Sequence, residues 1–346
     1  MWMGWSKTFG EPLAAPLTLN FLPSWWYRQY GISHGERVFR DPEFRAATQR
    51  EMHRLVYDRF KDLGFGQEDP PLVYCADHLG NATMPAMLGC EVRFADDQYP
   101  VNNPLPMDVL RRLAVPKDIT QSFPLNDILG QERQIAQKTG SRVDLIWPTQ
   151  GVQNIALLTQ GSDFYTEYYE NPEWAGRLLD VSCDLIIAIL EYQKSRGQEL
   201  MLFSHQNCTV ELCGPKVYRE FLLAYDLRLY RTAARLGWKY NIHHCGVFDA
   251  FAELYRQIGP LDSIQVGWGS DLRLALDTFP EAKVDYIISP TFLHDADPRA
   301  IADRVRGLVD AAGGDLARTS FTVCDVEDGT PDSSIFAVAE ALAGRG

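Results

Sequence analysis

A surplus of basic residues is missing from this chain: 33 lysines and arginines stand against 46 aspartates and glutamates, for a formal charge of −13. Nucleic-acid binding needs a basic face, so that class of function is set aside. Also missing is any apolar run near the roughly 18 residues of a membrane span. The start, "MWMGWSKTFGEP", lacks the basic and apolar regions of a signal peptide. Cysteines are few and odd in number, seven scattered at 75, 90, 183, 208, 213, 245 and 324. That pattern suits reduced thiols better than a disulfide framework. No G-x-G-x-x-G or Walker pattern follows an early strand, which weakens a nucleotide-binding reading. No low-complexity tract or Pro/Ser linker divides the sequence. The expectation is one cytoplasmic domain over residues 1–346, with residues 1–14 as an N-terminal arm.

What is present is alternation. Short apolar runs at 17–22, 71–77, 143–149, 200–206, 240–246, 263–269, 284–290 and 320–326 have the length and composition of strands. Between several of them lie long, punctuated helical patterns. One has Asn171 and Pro172 at its start and Gly197 past its end; a second opens at Pro215 and closes on Gly237. A third uses Asp297 and Pro298, then Gly313. Buried apolar strands alternating with helices indicate βαβ units and a parallel sheet. Eight such units predict an α/β fold of the (β/α)8 TIM-barrel type with an N-terminal extension.

The stretch "KYNIHHCGVFDA" concentrates chemistry at one strand end. Side chains alternate along a strand, so His243 and Cys245 face one way and His244 the other, against the surrounding helices. Barrel active sites are built at C-terminal strand ends. Thiolate and neutral imidazole are preferred zinc ligands, and a catalytic zinc has three protein ligands and an open position. Cys324, ending the last strand, reaches over the same rim as a third ligand. Other residues expected at that face are Gln150 after the third strand and His205, Asn207, Cys208 and Glu211 after the fourth. Asp271 follows the sixth. Glu211 or Asp271 could fill the fourth zinc position or handle a proton. Equally, Asp271 could cap the helix after it, and Glu211 pair with a basic neighbour.

The chain resembles the uroporphyrinogen decarboxylase superfamily, in particular its zinc-dependent, corrinoid-linked methyltransferase branch. The resemblance is carried by "WYRQYG", "DPEF", "GNATMPAMLGCEVRF", "TQGSDFYTEYYENPEW", "GPKVYREFLLAYD", "HHCG", "QVGWGSDL" and a closing cysteine followed by "GTP". It implies H-x-C and a later cysteine as zinc ligands, here His243, Cys245 and Cys324, with Cys208 ranked behind Cys324. It implies methyl transfer between a small substrate and a corrinoid (cobalamin). The chain carries no D-x-H-x-x-G cobalamin motif, so the corrinoid is expected on a separate partner protein. Related barrels often pair, which makes a homodimer an expectation too.

Two alternatives stay open: a metal-independent decarboxylase of a porphyrinogen-like or other small acid, and a non-catalytic corrinoid or metal accessory protein. The decarboxylases that the chain resembles open with R-Q-A-G-R-Y, whose arginines meet substrate carboxylates. Here Arg28 and Gln29 remain, but Ile32 stands at the second arginine's place. Their pyrrole-binding aspartate is also displaced, with Gly80 or Asn81 nearest its position. A polyanionic substrate without that clamp would carry unpaired charge into a cavity. Arg28, Asn81, Gln150, His205 and Asn207 are the substrate-binding candidates. The N-terminal aromatics Trp2, Trp5, Trp25, Trp26 and Tyr27 are candidates to line a pocket for a methoxylated aromatic, with a methylamine or a thiol as other substrates.

Overall fold

Six parallel strands carry the fold. The structure, a computed structural model, describes residues 5–7 (backbone only), 13–141, 150–197 and 202–344. The described strands are β1 (Trp5–Lys7), β2 (Leu17–Phe21), β3 (Val92–Ala95), β4 (Gln98–Asn102) and β5 (Leu202–Gln206). They continue with β6 (Lys239–His244), β7 (Ser263–Val266), β8 (Lys283–Ile288) and β9 (Thr319–Val326). The main sheet runs β1-β2-β9-β8-β7-β6-β5, parallel from β2 onward, with β1 added antiparallel at one edge. Beyond β5, Gln150 adds a parallel bridge to Gln206.

Six of the eight expected strands are therefore present, each within a few residues of its expected bounds. The run at 143–149 lies outside the described residues. The run at 71–77 is a correction: it forms no strand. Leu72 and Val73 are 45% and 57% exposed, and of this run Ala76 packs against the core. Its backbone is not paired in a ladder. The Cys75 carbonyl is instead taken by the buried Arg45 guanidinium, through Nε at 3.2 Å and through Nη2. In its place the chain makes a hairpin of β3 and β4, which the sequence reading did not anticipate.

The helices follow their punctuation. Pro172–Ser195 starts behind Asn171, with Gly197 left-handed just beyond its end. Pro298–Ala312 is capped by Asp297, whose carboxylate accepts from the Arg299 and Ala300 amides. The pattern opening at Pro215 has more structure before it than expected. A turn from Val210 leads in, Gly214 breaks it at φ 77°, and a wide turn over Tyr218–Leu222 passes into Leu223–Leu236. These helices pack on the outward side chains of the sheet, as Tyr240 and Ile242 of β6 show by being fully buried.

The inward side chains are polar to an unusual degree. Register pairs Gln206 with His243, His243 with Gln265, Gln265 with Asp285 and Asp285 with Ser320. One row of polar groups thus crosses five strands. A second row lies one step lower, where Asn241 bonds Ser204 and Ser263 at 2.9 and 2.8 Å. Residues after both β2 and β5 line one pocket, so the sheet is curled, bringing its two edges towards a common centre.

Candidate metal centre

At the C-terminal ends of β5, β6, β8 and β9 lies a cavity of about 500 Å³, lined by Asn20, Asn81, Tyr99, Cys208, His243, Cys245, Cys324 and Asp325 among others. This is the size and shape of a small-molecule site. The β3–β4 hairpin supplies Tyr99 and Asn102 to it, so the element missed in the sequence forms part of its wall.

The ligand atoms of Cys208, His243 and Cys245 all lie within 4.8 Å of one another. Zinc holds sulfur at about 2.3 Å and imidazole nitrogen at about 2.0 Å, so its donors stand somewhat under 4 Å apart. A modest closure of this trio fits a metal, and the donor set, two thiols and one imidazole, is the set zinc prefers. Cys324 lines the same cavity but stands outside that trio. The family resemblance puts Cys324 ahead of Cys208 as the third ligand; Cys208 lies in a turn after β5, where no periodicity fixes which way a residue points.

The local chain is shaped to hold Cys245. Gly246 follows it, and a side chain there would run into the Glu211 carboxylate. A side chain at Gly267 would strike the carbonyls of Cys245 and Gly246. The Gly267 amide donates to the Gly246 carbonyl at 3.2 Å, and Glu211 accepts from the Val247 amide at 3.0 Å. Glu211 therefore braces the turn that carries the thiol.

The electrostatics of the trio follow from its contacts. The Cys208 thiol, by bonding Cys245, holds the Cys245 thiol well below its ordinary value; burial opposes this and His243 adds to it. The same bond, together with burial, drives Cys208 far above its own. Burial would lower His243, but its bonds to the Cys245 sulfur and to Gln265 outweigh that and raise it. One thiolate beside an imidazole is thus favoured before any metal arrives.

The remaining candidates separate into those at the cavity and those elsewhere. Asn81 lines it. Gln150 is fully buried at the sheet edge, with neither side-chain polar atom bonded. His205 points the other way, behind β5, where its Nδ1 meets Tyr240 Oη at 2.7 Å and its Nε2 lies 3.5 Å from Asp226. Asn207 donates to the same aspartate at 2.8 Å, so both belong to a buried network between sheet and helix. Asp271 caps the helix Leu272–Thr278, accepting from the Arg273 and Leu274 amides at 2.9 and 3.1 Å. Arg28 is exposed and 3.7 Å from Asp328. Trp25 and Trp26 are core residues packed on Phe21 and on each other. Trp2 lies outside the described residues. His244 faces the helices, bonded to Tyr255 Oη at 2.8 Å, as its strand register predicts.

Two residues that the sequence reading passed over belong to the site. Asp325 has φ 62°, the one non-glycine residue in the left-handed region among those described, and it lines the cavity. Such strain is kept where a side chain must be aimed. Asn20 donates to its carboxylate at 3.3 Å. Only its place beside Cys324 could have drawn attention to it.

The family model for uroporphyrinogen decarboxylase (URO-D) matches residues 80–341. No curated protein sequence matches the chain. Among solved structures, the chain is similar to a methyltransferase from Methanosarcina mazei. The TM-score is 0.63 and the identity 16%, over 98% of this chain and 94% of that one.

Proposed function

This chain belongs to the uroporphyrinogen decarboxylase family, and on that footing we propose that it is a zinc-dependent methyltransferase. In this reading it moves a methyl group between a small substrate and a corrinoid carried by a separate protein. The observation that carries the reading is the cluster of two thiols and an imidazole opening into a small-molecule cavity. Zinc held there would supply Lewis acidity and keep a coordinated thiol deprotonated at neutral pH. His243 and Cys245 are the fixed pair of ligands, and Cys208 completes the trio. Cys324 borders the substrate's space. Asn81, Tyr99 and the Asn20–Asp325 pair offer the substrate donors and acceptors, which fits a methoxylated aromatic, a methylamine or a thiol. We read the curled sheet as part of a closed (β/α)8 barrel whose open rim receives the corrinoid partner.

The family's name suggests decarboxylation of a tetrapyrrole, but the cavity opposes it. No lysine or arginine is among its described lining residues, and Arg28 is engaged elsewhere. A polyanionic substrate would stay uncompensated there.

Metal analysis by mass spectrometry tests the ligand set. The purified protein is expected to hold about one zinc per chain. Cys245→Ser and Cys208→Ser should lose it, and Cys324→Ser should keep most of it. Loss in Cys324→Ser with retention in Cys208→Ser would move the third ligand to Cys324. No zinc in any of them after reconstitution would remove the metal from the account.

A further inference from the structure

Two buried acceptors in the wall of the cavity have no donor, and they say what a ligand must bring. Asn20 is 4% exposed and lines the cavity. Its Nδ2 donates to Asp325 Oδ1 at 3.3 Å, while its Oδ1 is buried without a hydrogen-bond partner. Asn102, the last residue of β4, repeats the pattern in the same wall. Its Nδ2 donates to the Ala82 carbonyl at 3.2 Å, and its Oδ1 is likewise buried and unpartnered. Neither amide gains by turning round, since a carboxylate and a backbone carbonyl only accept. Both unpaired atoms are therefore acceptors. Leaving one buried and unmet costs about 1–3 kcal/mol, so such a pair calls for a donor from outside the protein.

We propose that Asn20, Asn102 and Asp325 form a subsite for an alkylammonium group bearing N–H, which makes the substrate a protonated methylamine. The proposal rests on the methyltransferase reading for its purpose and narrows it to one of the substrates named there.

The backbone brings Asp325 to the subsite by a local irregularity. Leu19 pairs with Val323, and Phe21 with Val326. Between those pairs Asn20 alone stands opposite two residues, Cys324 and Asp325. The extra residue is a bulge, a feature that re-aims side chains beside binding sites. Strict alternation puts Ser320, Thr322 and Cys324 on the inward face and would turn Asp325 outward. At φ 62°, Asp325 joins Cys324 in lining the cavity instead.

Charge selects among donors. Asp325 is the one aspartate or glutamate in the described lining, which holds no lysine or arginine. A zinc ion with two thiolate ligands is neutral overall, so it leaves that carboxylate uncompensated. An alkylamine, like a lysine side chain, is protonated at neutral pH. It brings N–H donors and a positive charge together, and such charge-assisted bonds are the strong ones. An ether oxygen only accepts, and a thiol is a weak donor. Tyr99 is the one Phe, Tyr or Trp among the described lining residues, so a methoxylated ring would find little to stack on.

Calorimetric titration of the reduced protein, with zinc and after stripping it, tests the subsite with four probes. These are trimethylammonium, tetramethylammonium, 2-methoxyphenol and 2-mercaptoethanol. Trimethylammonium should bind in both preparations. It should bind roughly tenfold or more tighter than tetramethylammonium, which keeps the charge but has no N–H. Asp325→Asn should weaken trimethylammonium by a similar factor and leave 2-methoxyphenol unaffected. Asparagine tolerates the left-handed region, so this variant keeps the bulge. If it nevertheless fails to fold, Asn102→Ala serves, with the same loss expected.

Trimethylammonium that binds no better than tetramethylammonium or 2-methoxyphenol would overturn the proposal. So would unchanged affinity in a folded Asp325→Asn or Asn102→Ala variant. A methyl-transfer assay with reduced cobalamin and zinc-loaded protein separates this failure from that of the wider reading. Asp325-dependent ammonium binding, with no methyl reaching cobalamin from any methyl-bearing probe, would uphold the subsite and defeat the methyltransferase reading. Transfer from 2-methoxyphenol while trimethylammonium stays unbound would do the reverse.

Discussion

Cys245 owes its place to two glycines, and they make unequal demands. At Gly246 an added methyl meets the Glu211 carboxylate, the end of a side chain that can swing aside; at Gly267 it meets backbone carbonyls. Gly246→Ala should therefore cost about 1 kcal/mol and Gly267→Ala about 3 kcal/mol, because overpacking is cheap only where a neighbour can yield. Denaturant unfolding of the zinc-free proteins measures both. Equal costs would mean the turn is softer than its contacts imply. The pair His243 and Cys245 was legible from strand alternation alone, since a period of two needs no tertiary knowledge. Cys208, Asp325 and Glu211 were legible as residues at the rim, or not at all. Their orientations depend on turn geometry, and an aspartate at φ 62° has no signature in the sequence.

At the scale of elements, parallel strands and capped helices were readable because burial and caps leave local patterns. The stretch 71–77 carried the same apolar pattern yet stays outside the sheet, because Arg45 supplies its backbone partner from a distance. The β3–β4 hairpin escaped notice because its residues are mostly half-exposed and lack an alternation to follow. That hairpin is tied to the N-terminal segment by His34, whose amide donates to the Asp96 carbonyl at 2.8 Å. Burial pulls the His34 imidazole down to about 4 from 6.5. Because the folded value is depressed, the unfolded chain binds the extra proton between pH 6.5 and 4. Stability is then full above pH 6.5 and falls as the pH drops through that window. The loss should reach about 2 kcal/mol by pH 5. Unfolding free energies at pH 7.5 and 5 for the wild type and His34→Phe check this; the variant should lose less by about that amount. Parallel losses in the two proteins would mean His34 is protonated in the folded state.

Taken whole, the molecule puts an acidic exterior around a curled parallel sheet whose interior is unusually polar. The two polar rows are not what a barrel core filled for stability would contain. They make sense as the foundation of a site, with Asp285 and Gln265 below and the two thiols and imidazole above. No helix among the described residues is long and apolar enough to cross a membrane. The apolar runs and the punctuated helices between them pointed to the fold class, while the row of inward polar groups was hidden, because it exists only once the strands are set in register. The central claim is that methyl transfer depends on metal at this centre. The measurement that tests it most directly follows the absorbance of free cobalamin as it gains or loses a methyl group with candidate substrates. It compares the protein as purified, after metal stripping, and after return of zinc. The account predicts activity that disappears on stripping and returns with zinc; full activity in the stripped, metal-free protein would contradict it.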